Sequence, residues 1–138
     1  MQIRELNLKE LQNAYELVKQ LRTKLSYKEF EDLIYDMRHI EYKMFGIIEN
    51  EKIITYAGAS VCTNLYHKRH LYIYDLVTDE KYRGQKYGKG MMDYLVDYAK
   101  YTMCENIVLS SGFAKGNAHR FYEDLGFDKK SYLFLKSI

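Results

Sequence analysis

The chain has 138 residues, 47% of them apolar, with 21 Lys and Arg against 19 Asp and Glu, a net charge of +2. That length points to one domain, residues 1–138, able to bury a core unaided. The near-zero balance leaves no global field for gripping nucleic acid or an anionic membrane, so neither is an expected partner.

Along the chain, residues 2–6 alternate in the manner of a short strand. Asn7 and Glu10 then form a cap-like pair at a helix start, followed by Leu11, Tyr15, Val18 and Leu21 at helical spacing. Ser26 and Glu29 match a capping box, and Phe30, Leu33, Ile34 and Met37 behind them share one helix face. Residues 44–48 and 53–62 read as two strands joined by the polar turn Glu49-Asn50-Glu51-Lys52. Residues 71–78, rich in β-branched and aromatic side chains, predict a third. A helix is expected from Gly90 to Met103, a short strand at 107–109, a helix around Ala118, Phe121, Tyr122 and Leu125 closed by Gly126, and a final strand at 132–135. The order β-α-α-β-β-β-α-β-α-β implies an α/β (α+β) domain with a mixed sheet. Its central hairpin is antiparallel, and strand–helix–strand alternation later supplies a parallel pair.

The remaining patterns are mostly exclusions. The longest stretch free of charge and histidine, residues 53–66, is too short and too polar to span a bilayer. The opening MQIREL lacks a leader's basic-then-apolar pattern. Cys62 and Cys104 are isolated, which argues against a disulfide framework and for a reducing, cytoplasmic setting. His67, His70 and Cys62 lack a second ligand pair, so no metal is expected. Lys68 and Arg69 read as surface charges.

The segment with most chemical content runs from Asp79 to Gly90. It carries Lys81, Arg83, Lys86 and Lys89 with no acid after Glu80, and it holds Gly84, Gly88 and Gly90. A strand precedes it and a helix follows. The free amides and positive dipole end of a helix start, approached over glycine, make an anion site suited to phosphate or pyrophosphate. The alternative is a flexible, solvated basic loop. The Walker A spacing fails because Gly84 and Gly88 enclose only three residues, and the dinucleotide fingerprint fails because Asp93 stands where its last glycine belongs.

At these residues the sequence resembles the GNAT superfamily of N-acetyltransferases. Gln85-Lys86-Tyr87-Gly88-Lys89-Gly90 matches the family's acetyl-CoA loop, Q/R-x-x-G-x-G/A, with Arg83-Gly84 as its lead-in. Family members often carry a further glycine where this chain has Lys86. Ala118 to Phe127 matches a second motif, A-x-x-F-Y-x-x-x-G-F. Where the family often has Asn three residues before the Ala, this chain has Lys115, with Asn117 beside Ala118 instead.

The resemblance implies a mostly antiparallel sheet flanked by helices and splayed between parallel strands, here 71–78 and 107–111. It implies acetyl-CoA as co-substrate, with pantetheine along the backbone of Leu76, Val77 and Thr78, and with Asn117 and Phe121 as further cofactor contacts. Tyr122 resembles the family's general acid. For a base, Asp75, Glu80 and Glu41 are candidates, and Asp75 is preferred, although strict alternation would turn it from the cleft. The implied reaction is direct attack of a primary amine on the thioester. The alternative is a non-catalytic acyl-CoA sensor. The acceptor is a small-molecule or peptide amine, and a homodimer is compatible with the family.

Overall fold

The computed structural model describes residues 1–138. It divides into two compact units, residues 1–108 and 109–138.

The first unit is built on a sheet in the order β1-β2-β3-β4-β5, where β1 is Gln2–Leu6, β2 Lys43–Glu49, β3 Lys52–Asn64, β4 Lys68–Thr78 and β5 Asn106–Leu109. The pairs β1–β2, β2–β3 and β3–β4 are antiparallel, and β5 adds the one parallel pair, as in the GNAT fold. Glu105 N donates to Arg69 O at 2.7 Å, so β5 starts beside the beginning of β4. Being short, it leaves the far half of β4, from Tyr74 onward, beyond its reach.

Helices α1 (Leu11–Val18) and α2 (Tyr27–Met37) cover one face of the sheet. Their starts are dictated locally. The Asn7 side chain accepts from Lys9 N, and the Glu10 carboxylate accepts from Asn7 N at the head of a 3-10 turn, Leu8–Glu10, that leads into α1. At α2 the Ser26 hydroxyl accepts from Glu29 N at 3.1 Å while Glu29 accepts from Ser26 N at 3.0 Å, which satisfies two orphan amides at once. Leu11, Ala14, Leu17, Val18, Phe30 and Ile34 are buried with Leu6, Met44, Tyr56 and Val77. Burial of this apolar cluster stabilises the unit. Helix α3 (Tyr87–Tyr101) contributes the buried Met91, Met92, Leu95 and Ala99, and the Phe45 ring of β2 meets Tyr94 and Tyr98 at 5.7 and 5.1 Å.

Two boundaries differ from expectation. α3 starts at Tyr87 rather than Gly90, because Lys86 adopts a left-handed conformation (φ 67°) and ends the loop there. Gly88 and Gly90 therefore lie in the first helical turn rather than in the loop. At its other end, Met103 at φ 64° lies beyond the last helical residue, Tyr101. The β2–β3 turn is as expected, and both its central residues, Asn50 and Glu51, have positive φ (50° and 64°), the signature of a type I′ hairpin.

The second unit holds α4 (Gly116–Asp124). A full Schellman motif closes it: Gly126 at φ +90° donates to Glu123 O, Phe127 N donates to Tyr122 O, and the Phe127 and Tyr122 rings meet at 5.7 Å. The strand expected at 132–135 does not form, and its side chains stand 74–91% exposed. Strand propensity is realised only through a partner ladder, which local sequence does not specify.

Candidate active site

In the first unit the expected phosphate loop has the features an anion site needs. The first helical bond of α3 runs from Gly90 N to Lys86 O at 3.0 Å, so the amides of Tyr87, Gly88 and Lys89 have no intrahelical acceptor. A methyl group built on Gly84 or on Gly90 would meet nothing within 4 Å, so the backbone there faces open space. Lys86 takes without glycine the left-handed conformation for which a glycine is common at this position. Arg83 stays at the surface, where its Nε donates to Thr78 O at 3.1 Å and ties the loop to the end of β4. Lys89 pairs with Asp93 at 2.9 Å.

Leu76, Val77 and Thr78 form the last residues of β4. On one edge they pair with Ala57, Tyr56 and Thr55 of β3. The opposite edge lies past the reach of β5; there the Thr78 carbonyl is taken by Arg83, and the outward backbone groups of Leu76 and the Thr78 amide are the ones an extended ligand would pair with.

Asp75 is the residue the structure redefines most. The β3–β4 register slips between Gly58 and Ala59: Gly58 pairs with Asp75, whereas Ala59 pairs with Ile73, leaving Tyr74 as the extra residue of a bulge. Strict alternation would group Asp75 with Leu71 and Ile73. The bulge instead sets it opposite Gly58, on the face where Tyr56 meets α1 and α2. There Asp75 Oδ1 accepts from Arg22 Nε and Nη2 at 3.1 and 2.9 Å, and Oδ2 accepts from the Tyr42 hydroxyl at 2.8 Å. The hydroxyls of Tyr42 and Tyr56 lie 2.8 Å apart. Arg22 Nη2 also donates to Tyr74 O at 2.9 Å, clamping the α1–α2 connection onto the bulge.

Burial pushes Tyr42 well above the ordinary tyrosine value, with Tyr56 and Asp75 adding to the effect, and burial raises Tyr56 likewise. Burial, with Cys62 next, pushes Tyr74 up to about 12. The other base candidates stand apart from this network: the Glu80 amide donates to Gln20 Oε1, and Glu41 follows α2 in a left-handed conformation. Arg22, Tyr42 and Tyr56 were not singled out from sequence. The available signal was Gly58, because a glycine inside an apolar strand marks a bulge or a close approach.

In the second unit Tyr122 lies on α4 between the rings of Phe121 (5.3 Å) and Phe127 (5.7 Å). Burial raises its hydroxyl above the ordinary value, so it keeps its proton at neutral pH. Asn117 Oδ1 accepts from Arg120 at 3.1 Å. His119 and Gly112 O are hydrogen-bonded at 2.8 Å. No group of three His, Cys, Asp or Glu side chains is arranged to hold a metal ion, and no helix is long and apolar enough to cross a membrane.

Comparison with known proteins bears on both units. The model of the acetyltransferase (GNAT) family matches residues 6–127. An uncharacterized N-acetyltransferase, YhdJ of Bacillus subtilis, is 35% identical over 127 residues, covering 91% of this chain and 89% of that protein. Among solved structures, glucosamine-6-phosphate N-acetyltransferase of Arabidopsis thaliana superposes with a TM-score of 0.77 at 23% identity, covering 99% of this chain and 97% of that one. An aminoglycoside N-acetyltransferase solved in complex with CoA gives a TM-score of 0.83 at 15% identity, covering 99% and 93%. At these identities the structural likenesses speak to the fold alone.

Proposed function

This chain belongs to the GNAT family of acetyltransferases, and we propose that it moves an acetyl group from acetyl-CoA to a primary amine by direct attack within a ternary complex. The observation that carries this reading is the start of α3. Three helix-start amides lie behind a left-handed Lys86, beside glycine backbone with open space before it, at the end of the loop that follows β4. Such a start is complementary to a pyrophosphate, and the residues present fit the CoA moiety.

In this reading residues 85–90 hold the pyrophosphate, with the free amides of Tyr87, Gly88 and Lys89 as donors and Gly90 leaving space for its approach, and Leu76, Val77 and Thr78 hold pantetheine as an added strand. An amide of that stretch stabilises the oxyanion that develops at the thioester carbonyl, a type of contribution worth roughly 3–4 kcal/mol. Asp75, oriented by Arg22 and Tyr42, takes up the proton of the attacking amine. Tyr122 supplies a proton to the departing thiolate, and its burial favours that role by keeping the hydroxyl protonated. Asn117 and Phe121 complete the cofactor contacts. Since the amine is itself the nucleophile, no serine or cysteine is required.

The test is a thiol-release assay with acetyl-CoA across a panel of amines, which includes amino sugars, aminoglycosides and peptide N-termini. Turnover with at least one amine is expected. Acetyl-CoA binding without turnover on any of them would favour the sensor reading. A Gly88→Trp variant should fold and lose acetyl-CoA binding. Retained affinity there would displace the pyrophosphate from the start of α3.

A further inference from the structure

The phosphate loop contains two left-handed residues, Gly84 and Lys86, and its own hydrogen bonds, from Lys81 and Tyr82 to Asp79 and from Arg83 to Thr78 O, lie in its first half. Further contacts reach it from elsewhere in the first unit. At the β2–β3 turn the type I′ geometry sets Glu49 directly opposite Lys52. From this one cross-strand pair, two side chains reach the two ends of the loop. Glu49 Oε2 accepts from the Tyr87 hydroxyl at 2.5 Å, at the first residue of α3. Lys52 Nζ lies 3.2 Å from Asp79 Oδ2, at the residue that follows β4, and 5.7 Å from the centre of the Tyr82 ring. The rings of Tyr82 and Tyr87 are 6.1 Å apart, which closes the circuit inside the loop.

Asp79 is itself fixed. Its amide donates to Ile54 O at 2.8 Å, and its carboxylate accepts from Lys81 N at 3.1 Å. That backbone hydrogen bond, with Lys52 assisting, holds the Asp79 carboxyl below the usual range. The bond to Glu49, with burial second, raises the Tyr87 hydroxyl.

The sign of the charge separates positioning from direct binding. A carboxylate near a site for a pyrophosphate repels the ligand, so Glu49 cannot serve there as a direct ligand. Its carboxylate is instead spent on the Tyr87 hydroxyl. We propose that Glu49 and Lys52 are positioning residues, and that the β2–β3 turn brackets the acetyl-CoA loop and sets the affinity for that co-substrate. The proposal rests on reading residues 85–90 as the pyrophosphate loop.

The test compares Glu49→Gln with Glu49→Ala. Both remove the charge, but only Gln keeps an acceptor for Tyr87, so their difference isolates the hydrogen bond. Loss of one such bond predicts a KM for acetyl-CoA about five- to tenfold higher in Ala than in Gln, with kcat at saturation and the KM for the amine unchanged between the two. Tyr87→Phe should raise the same KM, and adding Glu49→Ala to it should raise it no further. Equal KM values for the Gln and Ala variants would overturn the proposal. So would a fall in ligand-free melting temperature in Glu49→Ala with no change in KM, since that is the mark of a purely structural contact. Absence of any acetyl-CoA-induced thermal shift in the unmodified protein would overturn the loop reading and this proposal together. A normal shift with indistinguishable variants would overturn the bracket alone.

Discussion

Gly58 lies under the Tyr42 ring, and adding a single methyl group there tests the arrangement around Asp75. A Cβ at Gly58 would stand 1.6 Å from the Tyr42 hydroxyl oxygen, 2.2 Å from its Cζ and 2.7 Å from its Cε1. None of these atoms is the end of a free-swinging chain, because the hydroxyl is bound to Asp75 and Tyr56 at 2.8 Å each. The ring must therefore leave. Overpacking of this kind costs about 1–3 kcal/mol, and two buried hydrogen bonds add about 1 kcal/mol each, so Gly58→Ala should destabilise by about 3–5 kcal/mol. For a chain of this size that corresponds to a fall in melting temperature of roughly 10–15 °C.

Urea and thermal unfolding provide the assay, with Gly46→Ala as the comparison. A Cβ at Gly46 meets the buried Leu6 side chain at 3.0–3.3 Å, a tight contact that a shift of a few tenths of an ångström relieves, and should cost about 1 kcal/mol, well below the Gly58 change. In a Tyr42→Ala background the Gly58→Ala penalty should shrink sharply, because the two residues are in contact. A Gly58→Ala protein within about 1 kcal/mol of the parent would refute the placement of Tyr42, and with it the orientation assigned to Asp75.

Tyr122→Phe should lower kcat about a hundredfold without a comparable change in the melting temperature, and an unchanged rate would remove Tyr122 as the acid. Since burial raises Tyr122, the alkaline limb of the kcat profile should fall above the ordinary tyrosine value of about 10. Tyr42 and Tyr56 are raised in the folded state, so as pH climbs past about 10 the unfolded chain releases those protons first. Stability should then be unaffected by these groups at neutral pH and decline above that value, with a shallower decline in Tyr42→Phe, as read by urea titrations across pH. Glu51→Gly relieves a left-handed non-glycine residue and should raise stability by about 0.5 kcal/mol, the relief being partly offset by a more flexible unfolded chain.

The features that were readable in the sequence share one property: each is closed by residues within a few positions. The capping boxes at Asn7 and Ser26, the turn at Asn50-Glu51 and the Schellman close at Gly126 are local hydrogen-bond exchanges, and all four form. The start of α3 was misplaced because glycine suggests loop, whereas at a helix start the first amides are unpaired in any case and glycine there exposes them. The strand at 132–135 was misread for a different reason. Its residues suit a strand, but a ladder belongs to two segments, and the second is not encoded in the first.

The same distinction governs the candidate site. The proposed acetyl-CoA loop is a local device, so its glycines and its position after β4 could be read in chain order. The carboxylate is not local. Asp75 reaches the Tyr56 face only because β4 carries one residue more than β3 between Ile73 and Asp75, and that surplus exists only in the register between two strands. Period-two reasoning applied to β4 alone therefore turns Asp75 the wrong way. The compensating clue lies on the partner strand, where Gly58 leaves room for Tyr42 to lie across the bulge. Glycine, bulge, tyrosine and carboxylate thus form one dependency, and Arg22 fastens it from the α1–α2 connection by holding both the Tyr74 carbonyl and Asp75. A substitution at any of these positions should be read first by what it does to the direction in which Asp75 points.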